Sequence, residues 1–328
     1  MRKVYYKGYA AFVEGWGPPA TETSQGLWSC RERTMTTVLS MTATVNVNGR
    51  ISGEKDAVIS VFDHGFLYGE GVYETVRTYN GRPFLYDRHM RRLRRSAEMI
   101  TLGVPLTDEQ FAERVRETMA ASNLDGAEAY LRILLTRGIG ELTYDVRATP
   151  TPSVIIIVKL HQNPPSEIYD RGVKVCLSPI LRNHPGSVNP MIKSNNLMNN
   201  ALAMQEALRR GGFEGIMRNY RGELSECTTS NLFLVKNGVA LTPPLDAGLL
   251  PGITREFFFE VGKELGIEVR EQALRDDDLF GADEAFLTST TREAVPIVRV
   301  DDRKIGAGVP GPVTKALLEG FRRRAHAS

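Results

Sequence analysis

Pro190-Met-Ile-Lys193-Ser194-Asn195-Asn196-Leu197-Met-Asn-Asn200-Ala201 is the stretch on which the reading of this chain turns. Lys193 closes an expected strand, and the polar run after it opens an expected helix over residues 196–210. An amine held at such a junction and facing a cavity has the reach and nucleophilicity to form an imine with an aldehyde cofactor. Taken alone, Lys193 reads first as one of many solvated lysines, because a single lysine is a weak signal. Its meaning depends on the residues around it in the fold.

The chain has 328 residues, enough for two domains of ordinary size and a sizeable core. With 42% hydrophobic and 24% charged residues it has the balance of a soluble globular protein. Forty-one Lys and Arg against 39 Asp and Glu leave a net charge of +2, which gives no electrostatic case for a nucleic-acid partner. The basic run Arg88, Arg91, Arg92, Arg94, Arg95 is local and reads mostly as a solvated helix face. Cys30, Cys176 and Cys227 are odd in number and form no CxxC, so reduced thiols and a cytoplasmic setting are expected. No apolar run reaches membrane-spanning length, no signal-peptide pattern opens the chain, and no metal site is expected.

Residues 1–40 hold Trp16, Trp28 and a Gly-Pro-Pro without helical or strand period. They read as a disordered extension or as a start codon placed too early, with Met35 and Met41 as other starts. From residue 42 onward the pattern sharpens. Strands are expected at 44–52, 58–62 and 72–79, the last ending on an Asn80-Gly81 turn. Amphipathic helices are expected over 88–100 and 107–122, the second opened by a Thr107/Gln110 capping box. β-rich stretches at 129–137 and 153–160 complete a small N-terminal domain, residues 41–160. The Pro-rich segment 161–171 reads as a linker, and residues 172–328 as a larger C-terminal domain. That half carries a strand at 172–180, a hairpin turning at Asn237-Gly238, a helix from Gly252 to Leu265, a strand at 285–288 and a helix from Val313. Helices and strands mix without a βαβ period, so the fold class is α+β.

Several stretches carry chemistry. Gly306-Ala-Gly308-Val-Pro-Gly311 satisfies G-x-G-x-x-G but leaves no room for a following βαβ unit, so it is a turn. Leu250-Pro251-Gly252-Ile253-Thr254 opens a helix whose N–H groups and Thr254 hydroxyl could cradle a phosphate, although Pro and Gly are also ordinary capping residues. Ser289-Thr290-Thr291 is a second hydroxyl-rich turn that could bond the same anion, and Arg92 a bidentate partner for it. Glu226 precedes an apolar strand, where it is either a surface acid or a carboxylate able to keep a pyridine nitrogen protonated.

Together these residues resemble the class IV, fold-type IV pyridoxal-phosphate aminotransferases from about Val45 to the C-terminal helix. The resemblance is carried by Phe62-Asp-His-Gly-Phe-Leu-Tyr68-Gly-Glu-Gly-Val-Tyr73-Glu-Thr-Val-Arg77, His89-x-x-Arg92-Leu93, Lys193-Ser-x-Asn196, Glu226-x-x-x-Ser230-Asn231, Leu250-Pro-Gly-Ile-Thr254-Arg255 and Gly311-Pro-Val-Thr314. It implies a two-domain fold with pyridoxal 5'-phosphate held between the domains. Lys193 would carry the Schiff base and move protons. Glu226 would pair with the pyridine nitrogen, and Arg92, Ile253, Thr254, Ser289 and Thr290 would hold the phosphate. A second subunit would complete the site, implying a homodimer at least, with higher homo-oligomers open.

Within the family, Tyr73 with Arg77 and the strand Tyr130-Leu-Arg132 resemble the branched-chain aminotransferases. In that reading Tyr68 and Tyr73 wall an apolar pocket, and Arg132 meets the distal carboxylate of glutamate. Tyr130 would lie beside it, and Thr290-Thr291 would receive the α-carboxylate. The implied reaction exchanges amino groups between branched-chain L-amino acids and 2-oxoglutarate. The segment 138–143 lacks the Arg-x-His of D-amino-acid aminotransferases, yet Leu197 and Ser289-Thr290-Thr291 look D-type. D-amino-acid transamination, aminodeoxychorismate lysis and a non-catalytic pyridoxal-phosphate carrier are the alternatives.

Overall fold

The computed structural model describes residues 43–327, so the expectations for residues 1–40 lie outside the described residues. In chain order the elements are β1 (Thr44–Val47), β2 (Arg50–Gly53), α1 (His64–Leu67), β3 (Gly71–Tyr79), β4 (Arg82–Pro83), α2 (Tyr86–Met99), α3 (Asp108–Ala120), β5 (Ala129–Thr136) and β6 (Ser153–Leu160). There follow α4 (Glu167–Asp170), β7 (Val173–Leu177), α5 (Met198–Arg209), β8 (Gly215–Arg218), β9 (Leu224–Cys227), β10 (Asn231–Lys236) and β11 (Val239–Thr242). The rest are α6 (Ile253–Leu265), β12 (Val269–Glu271), α7 (Asp276–Phe280), β13 (Glu284–Ser289), β14 (Glu293–Val300), β15 (Arg303–Lys304) and α8 (Pro312–Ala327).

Two sheets organise them. The first is a six-stranded antiparallel sheet, β2-β1-β6-β5-β3-β4. Its alternating residues send Val72, Val76, Leu131, Ile133, Leu135, Ile156 and Val158 into a core shared with Leu93 of α2 and Phe111 of α3. The opposite face carries Tyr73, Thr75, Tyr130 and Arg132, which wall the cavity described below. The Thr107/Gln110 capping box forms at the start of α3, as its sequence predicts.

The second sheet runs β12-β11-β10-β13-β14-β7-β8-β9, with β15 on β14. Parallel pairs (β11/β12, β14/β7, β7/β8) are mixed with antiparallel ones. Both faces of its centre are buried, which is why β10 reads as an unbroken apolar run rather than an alternation. Leu232 and Leu234 join one core with Val295 and Ile297. Phe233 and Val235 join another, in which Phe258 of α6 and Phe321 of α8 stack at 5.5 Å. The hairpin turns at Asn237-Gly238, where both residues have positive φ (50° and 78°).

Two expectations are corrected. Residues 58–62 form no strand; Val58, Ile59, Val61 and Phe62 lie exposed without a ladder partner. Lys193 does not end a regular strand either. Residues 193–195 lie as one isolated bridge against the start of β3, and α5 begins only at Met198.

Candidate active site

The backbone of Lys193 is fixed from three sides. Its N–H donates to Ser96 Oγ of α2 at 3.1 Å, its carbonyl accepts from Tyr73 N at 2.9 Å, and Asn195 N donates to Gly71 O at 2.9 Å. The lysine thereby continues the β3 edge of the first sheet, and its Nζ lies 4.6 Å from the centroid of the Tyr73 ring. Arg132 approaches the same ring, with Cζ at 4.1 Å. These side chains line a cavity of about 440 Å³, together with Glu226, Ile253, Thr254 and Ser289, Thr290 and Thr291.

Glu226 is buried at the end of β9. It accepts from Arg182 Nε at 2.7 Å, Leu250 N at 3.0 Å and Asn231 Nδ2 at 3.3 Å. Burial nevertheless pushes its carboxyl above the ordinary value, against the opposing pull of Arg182 and, more weakly, Lys193. This is a carboxylate that gains from a further cationic partner.

Arg92 reaches the cavity from α2 but arrives already engaged. Nε and Nη2 grip Glu74 at 2.7 Å each, and Nη1 donates to Pro251 O at 2.8 Å. His89 Nδ1 completes the triad on Glu74 at 2.7 Å. Burial would raise the Glu74 carboxyl, but Arg92 and then His89 outweigh it and hold it at about 2. The triad pins Arg92 beside the start of α6, whose N-cap Gly252 supplies no side-chain cap. Gly252 is required there because a Cβ would collide with the Asn231 side chain.

The structure brings together Lys193, Arg92, Glu226, Ile253, Thr254, Ser289, Thr290, Thr291, Tyr73, Tyr130 and Arg132. It does not bring Arg77 or Tyr68 to this cavity. Arg77 is buried elsewhere: Nη2 meets Asn163 Oδ1 at 3.5 Å, Nη1 lies 3.7 Å from Glu293, and the guanidinium stacks on Tyr79 at 4.1 Å. These contacts engage its guanidinium away from the cavity. Tyr68 packs on His64 and Tyr144, with ring centroids at 4.9 and 5.1 Å.

Sequence reasoning missed Arg182, the partner of Glu226, and Glu74, which lay unremarked inside the quoted Phe62–Arg77 motif. It also missed Glu214. This buried acid accepts from Thr228 Oγ1 (3.0 Å), Thr229 N (2.9 Å), Ser230 Oγ (3.1 Å) and Arg292 (2.5 Å), tying together two loops of the cavity wall. The hydroxyl run Thr228-Thr229-Ser230 was the only available signal.

A family model for class IV amino-transferases matches residues 71–300, which span the walls of this cavity. The chain belongs to the class IV aminotransferases. Among the curated members, the branched-chain-amino-acid aminotransferase of Salmonella typhimurium is 35% identical over 282 residues, covering 84% of this chain and 90% of its own. The aminodeoxychorismate lyase of Bacillus subtilis is 35% identical over 274 residues, covering 83% and 92%. Among solved structures, the branched-chain aminotransferase of the thermophilic archaeon Thermoproteus uzoniensis, determined with norvaline, superimposes with a TM-score of 0.81 at 33% identity. That match covers 87% of this chain and 95% of the other. This class IV aminotransferase therefore has the α+β architecture expected from its sequence.

Proposed function

We propose that this protein is a transaminase that exchanges amino groups between branched-chain L-amino acids and 2-oxoglutarate, with pyridoxal 5'-phosphate as its cofactor. The observation that carries this reading is the Lys193 amine in one cavity with the buried carboxylate of Glu226, which burial keeps short of full ionic compensation. The donor set fits the cofactor. Thr288 Oγ1 is a buried hydroxyl without a partner among the described residues, and Thr288 lines the same wall as Thr290 and Thr291. An uncapped start of α6 faces that wall, with Arg92 beside it.

Bound there, pyridoxal phosphate would supply an electron sink for negative charge developing at the substrate Cα. Lys193 would anchor it through Nζ and carry the proton taken from and returned to Cα. Glu226, steadied by Arg182, would hold the pyridine nitrogen protonated. Arg92, Ile253, Thr254, Ser289 and Thr290 would receive the phosphate, and Thr291 the α-carboxylate. Tyr73 and Tyr130 wall the side-chain pocket, with Arg132 for the distal carboxylate of glutamate. The branched-chain choice is supported by the similarity to the branched-chain aminotransferases of S. typhimurium and T. uzoniensis and by the Tyr130-Leu-Arg132 strand.

We further propose a homodimer in the cytoplasm, with residues 41–160 and 172–328 as small and large domains joined by 161–171. Exposed Val58, Val61, Phe62 and Phe66 adjoin exposed Ile139, Leu142 and Tyr144, the two segments being tied by the Asp63–Ile139 bridge. Tyr68 stands at the edge of this patch, which suits a residue that reaches the cavity of a second copy.

The test is spectral. The purified enzyme should show a visible cofactor band that L-leucine and L-glutamate bleach, and Lys193→Ala should lose both the band and turnover. Bleaching by D-alanine or aminodeoxychorismate but not by L-leucine would replace the branched-chain reading with one of its rivals. Wild-type turnover in the alanine variant would remove Lys193 from its role.

A further inference from the structure

A second chamber of about 430 Å³ adjoins the main cavity and shares Tyr130 and Thr291 with it. Its other lining residues are Lys159, Leu160, His161 and Gln162. The sheet register explains why a lysine stands there. Tyr130 pairs directly with Lys159, and Arg132 with Ile157, so Lys159 and Arg132 are diagonal neighbours on one face of β5 and β6. Such neighbours have Cα atoms about 7–8 Å apart, within joint reach of one anion for side chains of this length.

Both cations rest on aromatic rings, Arg132 on Tyr73 at 4.1 Å and Lys159 on Tyr130 at 5.1 Å. Among the described residues neither is paired with a carboxylate. The nearby acids are committed elsewhere. Glu293 accepts from Tyr79 and Arg322 and lies against Arg77, while Glu128 accepts from Thr78 Oγ1 and Asn80 N. His161 supplies an independent sign of a ligand: it is 7% exposed, and its Nε2 is buried without a partner among the described residues. Burial holds the ring neutral, with its pKa lowered to about 4, so it retains one N–H to donate. Two unpaired cations and an unsatisfied imidazole describe a place for an anion.

We infer that Lys159, from this adjoining chamber, is a second, specificity-determining cation beside Arg132 for the distal carboxylate of a dicarboxylic amino or oxo acid. The inference rests on the transaminase reading and deepens it. One cavity must accept both a branched apolar side chain and the carboxylate-tipped chain of the amino-group partner. An anion position set outward from the aromatic walls lets the charged tip pass the apolar surface without being buried unpaired.

Calorimetric titration of the holoenzyme with glutarate and with 4-methylpentanoate tests this, because both present one carboxylate to the Thr291 turn and differ only at the tail. For Lys159→Met, the Kd of glutarate should rise about five- to tenfold while that of 4-methylpentanoate stays put; Lys159→Glu should widen the gap. Unchanged glutarate affinity in the methionine variant overturns the proposal. Equal weakening of both ligands does so too, because it makes Lys159 a general support of the sheet. Neither ligand needs turnover to bind. Absence of transamination in the wild type would therefore end the functional reading without deciding this comparison.

Discussion

At the residue scale, the site is governed by charges held in pairs that burial makes consequential. Glu74 is the central case, a fully buried carboxylate held by two buried side chains of α2, the guanidinium of Arg92 and the imidazole of His89. Its pKa of about 2 lies below the ordinary 4.5, so the sign of the linkage follows directly. Above pH 4.5 both folded and unfolded chains carry the ionised acid, and its pairing contributes in full. As pH falls from about 4.5 to about 2 the unfolded chain takes up the proton first, and that contribution is lost. The difference corresponds to about 3 kcal/mol. Glu74→Gln should cost about 3 kcal/mol in urea unfolding at neutral pH, since it leaves Arg92 and His89 buried without their anion. It should also flatten the acid limb of the stability curve between those pH values. A variant as stable as the wild type at pH 7 would show that the triad stabilises nothing. Glu226 has the opposite bias, a carboxyl raised by burial, which suits the role proposed for it beside a further cationic partner.

At the element scale, what places Lys193 is an edge-on contact between segments far apart in sequence. The start of β3 accepts residues 193–195 as a short antiparallel neighbour, and Gly71 permits it. A Cβ on Gly71 would stand 2.5 Å from Asn195 Nδ2 and 2.8 Å from Leu135 O. Gly71→Ala should therefore push this segment off the sheet edge. We expect a modest overpacking cost of about 1–3 kcal/mol, seen as a Tm drop, but a kcat loss of at least tenfold with a weakened cofactor band. If kcat and the band survive while only Tm falls, the contact is merely structural. The same geometry explains the limits of sequence reading here. Elements with a local code were legible: α3 from its capping box, the β10–β11 hairpin from Asn237-Gly238 and α6 from Gly252. The bridge at Lys193 has no local code, because it depends on a partner 122 positions earlier (Val72 to Ser194). Short strands β8 and β9 were missed because their residues are interrupted by the Asn219–Glu223 turn and lack a clear period. Residues 58–62 failed the other way: an apolar, β-branched pattern signals a strand only where a ladder partner exists. Arg77 was misplaced for a related reason, since spacing from Tyr73 fixes its face on β3 but not which of Glu293, Asn163 or a ligand it meets.

At the scale of the whole molecule, the described surface leaves an apolar region where a chain in water has little reason to show one. Phe62 and Phe66 are 52% and 65% exposed, and Ile139, Leu142 and Tyr144 are 57%, 66% and 80% exposed. The backbone holds them as one unit, with His64 N bonded to Gly138 O, Gly140 N to Phe62 O, and His64 Nε2 within 2.8 Å of Glu141 O. A rigid apolar surface is suited to cover by a fixed partner, and the occupant proposed is a second copy of this chain. The double variant Phe66→Asp, Ile139→Asp introduces like charges at exposed positions whose side chains support no core, so the protomer should still fold. Sedimentation velocity should show the wild type as a dimer or larger and the variant as a monomer. If Tyr68 serves the partner's cavity, the monomer should keep its cofactor band, because Lys193, Glu226 and Arg92 all belong to one chain. Its KM for leucine should rise several-fold, and Tyr68→Ala should raise KM similarly while leaving the dimer intact. A variant that stays dimeric would remove this patch from the interface. A monomeric variant with wild-type KM would show that each chain completes its own site, and Tyr68 would then have no part in substrate binding.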